Sequence, residues 1–339
     1  MAFSVATLAD YTEQNKLPLI AAAVMGAKTQ SLMQKRVGVK FQEAINLMDT
    51  DAFFQSGTAC GFTASGTTTF SQRTIVVGSV KVQETLCPRT LENKWTATQL
   101  AAGSNYEGVP FEQEFTEQKA KRIASQIEMA IWQGIGASAI SGTWVVGGTA
   151  TSADASLTKC SGLLLYAESA AAGTTEITIG GVLNVSTNIV SGFDVAYQSV
   201  PAAILQRDDI TAFCGWDTFR ILCAELIKQS GYTNLHSGQG DLAGQNGLAP
   251  VGELYYPGTN MRVVAVNGLN GTQRIFVASL SELFYGTDLL SDEDTFRIWA
   301  SYDADDIRFQ AAFKFGVQYA YPANIVVVLG NTAVRPKVR

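Results

Sequence analysis

DIRFQAAFKFGVQYAYP, from Asp306 to Pro322, places Phe309, Ala311, Phe313, Phe315, Val317, Tyr319 and Tyr321 on alternate positions. A period of two sustained over that length reads as one long β-strand. Its other parity carries Arg308, Gln310, Lys314 and Gln318, so the expectation is one wet face and one row of aromatics that needs a cover. The best cover begins at Pro110 and ends at Gly134. That is about 24 residues, or about 36 Å at 1.5 Å per residue. Phe111, Phe115, Ile123, Ile127 and Ile131 recur there at multiples of four, flanked by Ala120, Ala124 and Ala130, a stripe suited to lying flat on a sheet. Glu112, Glu114 and Glu117 come early and Lys119, Lys121 and Arg122 later, which agrees with the helix dipole. A strand and a helix of such reach describe a builder of structure more than a catalyst.

Outward from this pair, the chain between Thr67 and Trp95 reads as an extended, bent β segment. Ile75 and Val77 share one parity, Val80 and Val82 the other, and Gly78 sits where the phase changes; a glycine at a change of parity marks a bulge or sharp bend. Before it, QSGTACGFTASGTTTFSQ is rich in Gly, Ser and Thr. Pro18 opens a helical stretch that ends before a basic cluster of Lys28, Lys35, Arg36 and Lys40. Residues 134–181 read as loops with short strands, interrupted by the apolar SGLLLYAES of Ser161–Ser169. From Val185 to Ser279 helices and strands alternate in a compact α/β lobe. Its expected elements are a helix over Asp194–Gln206, a strand at Ile210–Cys214, a helix capped by Asp217, and strands at Met261–Val266 and Arg274–Ala278. The second helix turns Phe219, Leu222, Cys223, Leu226 and Ile227 to the core. TNLHSGQGDLAGQNGLAP, Thr233–Pro250, reads as a glycine-rich surface loop.

Bulk properties exclude several classes. With 339 residues, 47% of them hydrophobic, the chain can bury a large core. No apolar run approaches the roughly 18–20 residues that span a bilayer, and the N-terminus lacks a secretory pattern, so folding in a cytoplasm is expected. Five cysteines (Cys60, Cys87, Cys160, Cys214, Cys223), scattered and odd in number, read as free thiols. A net charge of −6 argues against a protein built to grip nucleic acid. The only histidine, His236, lies in the glycine-rich loop with no nucleophile elbow beside it. Gly238, Gly240 and Gly244 lack the Gly-Lys-Ser/Thr ending of a phosphate loop. The acidic runs Asp292–Asp294 and Asp303–Asp306 lack calcium-loop spacing. No cofactor and no metal is expected.

The order of parts resembles the major capsid proteins of tailed bacteriophages, the Hong Kong ninety-seven fold. The likeness is carried by RTIVVGSVKVQETLCPRTLENKW (Arg73–Trp95), EFTEQKAKRIASQIEMAIWQG (Glu114–Gly134), and DIRFQAAFKFGVQYAYPANIVV (Asp306–Val327). It implies an α+β chain divided into an N-terminal arm (1–55), an extended loop (56–108), a peripheral domain (109–184 and 280–339) and an axial domain (185–279, loop 233–250). In the peripheral domain it implies a spine helix at 110–133 and closing strands over 295–329. It implies self-assembly as hexamers and pentamers into an icosahedral head around double-stranded DNA, without sequence-specific binding and without a membrane. Portal, scaffolding and decoration proteins would be its partners. With the arm starting almost at Met1, scaffolding would come from a separate chain. Interface residues are expected at Arg73, Ile75, Val77, Val80, Lys81, Val82 and Trp95 on the loop and at His236 and Gln239 near the symmetry axis. Two other readings stand beside this one: an encapsulin-like shell around an enzyme cargo, and an enzyme using the lobe near His236 and Asp217.

Overall fold

The computed structural model describes residues 28–56, 61–62, 64–86, 111–136, 140–141, 155–168, 173–179, 181–230, 252–288, 295–301, 306–330 and 337–338. Among the described residues, the first elements are a short helix α1 (Lys28–Leu32) and the strands β1 (Gln34–Val37), β2 (Gln42–Thr50), β3 (Thr68–Val76) and β4 (Gly78–Leu86). The long helix α2 (Phe111–Gln133) follows, then β5 (Ile140–Ser141), α3 (Leu163–Ala167), β6 (Thr175–Ile179), α4 (Ser186–Gln198), β7 (Ile210–Cys214) and α5 (Trp216–Ser230). The strands that follow, with short 3-10 turns between some of them, are β8 (Glu253–Tyr255), β9 (Arg262–Ala265), β10 (Arg274–Ser279), β11 (Leu283–Thr287), β12 (Thr295–Ser301), β13 (Asp306–Tyr319), β14 (Val326–Gly330) and β15 (Lys337–Val338).

β13 is 14 residues long, and Ile307, Phe309, Ala311, Phe313, Phe315, Val317 and Tyr319 are all buried on one face. It is the axis of a five-stranded sheet in which β11, β12 and β4 all pair with it and β1 adds in parallel outside β11. The opposite face is wet only at one end. Arg308 and Gln310 are partly exposed, but Gln318 is buried and its Nε2 donates to the carbonyl of Thr74 at 3.1 Å. The reason is that β3 passes over the far end. A Cβ on Gly316 would stand 2.1 Å from the Val76 carbonyl oxygen, so only glycine permits that approach.

A second, six-stranded sheet runs in the order β6-β14-β10-β7-β9-β8. Its central strands β7, β10 and β14 are buried at every residue, as strands covered on both faces must be. Alternate side chains feed two cores. Ala212, Cys214, Ile275, Val277, Val326 and Val328 face α4 and α5; Phe213, Phe276, Ala278, Val327 and Leu329 join the core that holds Ile123, Ile127 and Ile131 of α2. Phe309, Phe313 and Phe315 of β13 share that same core. One helix therefore serves both sheets, with the Trp132 ring 5.0 Å from that of Phe213 and 5.3 Å from that of Phe276.

Several expectations need correction. The boundaries at 184/185 and 279/280 cut through a hydrogen-bonded sheet, because β6 and β14 pair with each other and β14 pairs with β10. The first lobe helix starts at Ser186, not Asp194, and stops at Gln198, ahead of Pro201. Gly192 within it is a packing glycine: a Cβ there would meet Leu183 Cδ1 at 2.7 Å. Asp217 lies inside the first turn of α5 and accepts from Asn184 Nδ2 (2.7 Å) and the Gly271 N–H (3.1 Å), while Asn270 Oδ1 takes the Trp216 N–H. Ile227 faces outward. In the 134–181 region SGLLLYAES forms α3, with Leu163, Leu164 and Ala167 fully buried. The helix from Pro18, the Thr233–Pro250 loop and the acidic run Asp292–Asp294 lie outside the described residues.

Candidate assembly interface

The bend expected at Gly78 falls at Val77, the one residue between β3 and β4. A Cβ on Gly78 would lie 2.3 Å from the Lys159 carbonyl oxygen, which explains the glycine by close approach. On the C-terminal side, β4 belongs to the body: Val80 and Val82 pack on the main core and the strand pairs with β13 from Gly78 to Leu86. On the N-terminal side, β3 leaves the body and pairs over nine positions with β2, from Gln42↔Val76 to Thr50↔Thr68. The projecting element is thus a ribbon of β2 and β3, at residues 42–76. The arm and loop assigned as 1–55 and 56–108 each contribute one of its strands, and the second half of the assigned loop region begins inside the body. The partner of β3 is not legible in the sequence because β2 carries no strong alternation.

The ribbon is fixed at its root. Ile45, Leu47, Ile75 and Val77 form a small core with Val39 and Ala320. The Arg73 guanidinium stacks 4.4 Å over the Tyr319 ring, a cation–π contact. Tyr321 Oη donates to the Met48 carbonyl at 3.3 Å, and the Val77 N–H to that of Phe41 at 3.0 Å. Burial raises the Tyr319 phenol above its ordinary range although the Arg73 charge opposes it.

Beyond the root the other face is bare. In register it carries Met48 against Phe70, Asn46 against Gln72, Ala44 against Thr74 and Gln42 against Val76. Met48 is 58% exposed and Phe70 78%. Phe53, Phe54 and Phe62 near the tip and Phe41 at the base are exposed as well. Two strands alone are marginally stable in water, and contiguous exposed apolar groups mark an interaction surface. Asp49 and Asp51 add acid to the same end.

Against the expected interface set, the structure divides. Ile75 and Val77 are buried in the chain's own small core, so neither is available to a neighbour. Arg73 is half-buried on Tyr319, Val80 and Val82 lean on the main core, and Lys81 is exposed. Trp95, His236 and Gln239 lie outside the described residues, as do the side chains of Phe111 and Phe115. Ile123, Ile127 and Ile131 are buried in the helix–sheet core. Phe53, Phe54, Phe62 and Phe70 are exposed and lie outside that expected set, although large aromatics in a Gly/Ser/Thr-rich stretch are a usable signal in the sequence.

The chemistry of a catalytic site is thin among the described residues. Burial pushes the Cys160 thiol up to about 12 and that of Cys214 further, so neither supplies a thiolate. Asp217 is engaged in holding the α5 start. Among the described residues no group of three or more His, Cys, Asp or Glu that could hold a metal ion stands together, and no helix is long and apolar enough to cross a membrane.

No protein-family model and no curated protein matches the chain. Solved structures do. The procapsid of satellite phage P4, which includes the size determination (Sid) protein, matches with a TM-score of 0.56 at 11% identity over 93% of this chain and 90% of that one. The capsid of the empty GTA particle gives 0.51 at 13% identity over 91% and 89%, and that of Myoviridae phage XM1 gives 0.51 at 11% over 89% and 91%. Long helix, bent strand, ribbon and paired sheets together show that this chain has the Hong Kong ninety-seven fold of tailed-phage major capsid proteins.

Proposed function

We propose that this chain is a major capsid protein that assembles as pentamers and hexamers into an icosahedral head enclosing the double-stranded DNA of a tailed phage. The observation that carries the reading is the β2–β3 ribbon, rooted in its own subunit and bare at Met48, Phe53, Phe54, Phe62 and Phe70. Each buried aromatic removes about 150–250 Å² from water. At about 25 cal/mol per Å², one ribbon end gives a contact of modest strength once ordering costs are met. Repeated around a closed ring, such contacts add by multivalency, while single ones stay reversible and let errors dissolve.

The subunit has no catalytic role in this reading. Its partners are other copies of itself, a portal, a scaffolding protein and possible decoration proteins, with assembly in a bacterial cytoplasm. Deleting Ser65–Gln99 is a poor test, because it removes β4 from the central sheet. Changing Phe53, Phe54, Phe62 and Phe70 to Ser together is a better one. Electron microscopy of the purified wild type is expected to show closed shells, and the variant a folded subunit without shells. Normal shells from that variant would sink the assignment. Nuclease-protected double-stranded DNA inside particles from infected cells separates a phage head from a cargo compartment.

A further inference from the structure

The helix α1 sits in a polar seat that the assembly reading does not use. Glu128 of α2 is 4% exposed. Its Oε2 accepts the Thr29 N–H at 3.1 Å, its Oε1 accepts the Thr29 hydroxyl, and Thr29 Oγ1 accepts the Trp132 indole N–H at 2.9 Å. Lys28, on the same short helix, reaches away from α2: its Nζ lies 3.4 Å from the Ala265 carbonyl oxygen of β9 and 3.5 Å from Glu253 of β8. So two residues of α1 join its neighbours: Thr29 holds the long helix and Lys28 the lobe sheet. Beside them stands a misfit. Gln30 is fully buried and neither atom of its amide bonds a protein group, which weakens the seated state. The chain that follows, β1, adds a single edge ladder to β11.

We propose that Lys28–Leu32 is a releasable clamp between the long helix and the lobe sheet, with Glu128 as its catch and Gln30 as the built-in bias toward release. Opening it frees α1 and removes the Lys28 contacts to β8 and β9, while α2 stays packed on the lobe sheet through Trp132, Phe213 and Val264 and both sheets stay folded. The catch senses pH. Burial raises the Glu128 carboxyl above its ordinary range against the opposing bonds from Thr29 and Trp132 and the Lys28 charge. The charged group acting on it is Lys28, which itself pairs with Glu253, and Glu253 lies 3.5 Å from Arg262. A raised value in the seated state means that the hold is fullest below the ordinary carboxylate range and weakens as pH rises through the raised value.

Hydrogen exchange of the full-length chain, read by mass spectrometry at a fixed assembly state and corrected for intrinsic rates, tests this. Thr29→Val should raise exchange in residues 28–33 by about 10-fold and leave β13 unchanged. Gln30→Met should slow exchange in 28–33, since it removes the misfit and keeps the volume. Wild-type protection in 28–33 should fall as pH rises above the ordinary carboxylate range, and Glu128→Gln should flatten that change. If residues 28–33 and β13 lose protection together in Thr29→Val, the segment is part of the body and the clamp is refuted. It is equally refuted if Gln30→Met speeds exchange, or if Glu128→Gln keeps the wild-type pH response.

Discussion

β13 and the β2–β3 ribbon are both long strand elements that carry large apolar side chains, and those side chains meet opposite fates. Phe309, Phe313 and Phe315 on β13 are covered by α2 and the lobe sheet of their own chain. Phe70 and Met48 on the ribbon are covered by nothing among the described residues. What separates these side chains is the supply of cover. Apolar strand residues are core where the chain returns to cover them and stay bare where the chain turns away, and the turning point is the single residue Val77 between β3 and β4.

The comparison can be broken most severely at the joint of the two sheets. Arg274 of β10 and Glu168 after α3 form an ion pair with side chains 0% and 2% exposed, Nε to Oε1 at 2.5 Å. Arg274→Ala strands the carboxylate in the core, and a loss of about 3–5 kcal/mol is expected in urea unfolding of the subunit. Phe309→Ala should cost a similar ~3–5 kcal/mol, whereas Phe70→Ala should stay within about 0.5 kcal/mol and show itself in sedimentation as failed assembly. Equal destabilisation by the two Phe variants would erase the distinction between core and ribbon.

A smaller effect sharpens the distinction at the root. Gly316→Ala pushes a methyl against the Val76 carbonyl, so about 1–3 kcal/mol of overpacking is expected, with faster proteolysis of the ribbon as the readout. The smallest effect concerns acid. Burial alone would raise the Asp209 carboxyl, but Ser279, Ser281 and the Arg207 charge together hold it below the usual range. A depressed value contributes stability above the ordinary carboxylate range and loses it as pH falls through the depressed one. Asp209→Asn should therefore reduce stability near neutrality and flatten its acid limb, measured by thermal melts from pH 7 to pH 3. An unchanged acid limb would show that the serine bonds are too wet to matter.

The ribbon's true extent was hidden from sequence reading by pairing. β13 announces itself by alternation, and the helix stripe of Ile123, Ile127 and Ile131 by spacing of four; both are local patterns that burial converts directly into contacts. The partner of β3 is 18–34 residues upstream along the register, in a segment whose alternation is diluted by Asn46, Asp49 and Thr50. Likewise β6 and β14 are assigned to the lobe sheet only by hydrogen bonds across the chain. The clamp on Glu128 had no sequence signal at all, since Thr29 meets it across 99 positions.

By itself, the order of residues determined the long strand, the long helix beneath it, the bend before Gly78 and the scarcity of catalytic groups, because each follows from periodicity, glycine or composition within a short window. Tertiary structure alone decided which apolar residues are core and which are left bare, how two sheets share one helix, and where Lys28–Leu32 is seated. Those outcomes depend on which distant backbone arrives to cover a face, and no local pattern encodes that arrival.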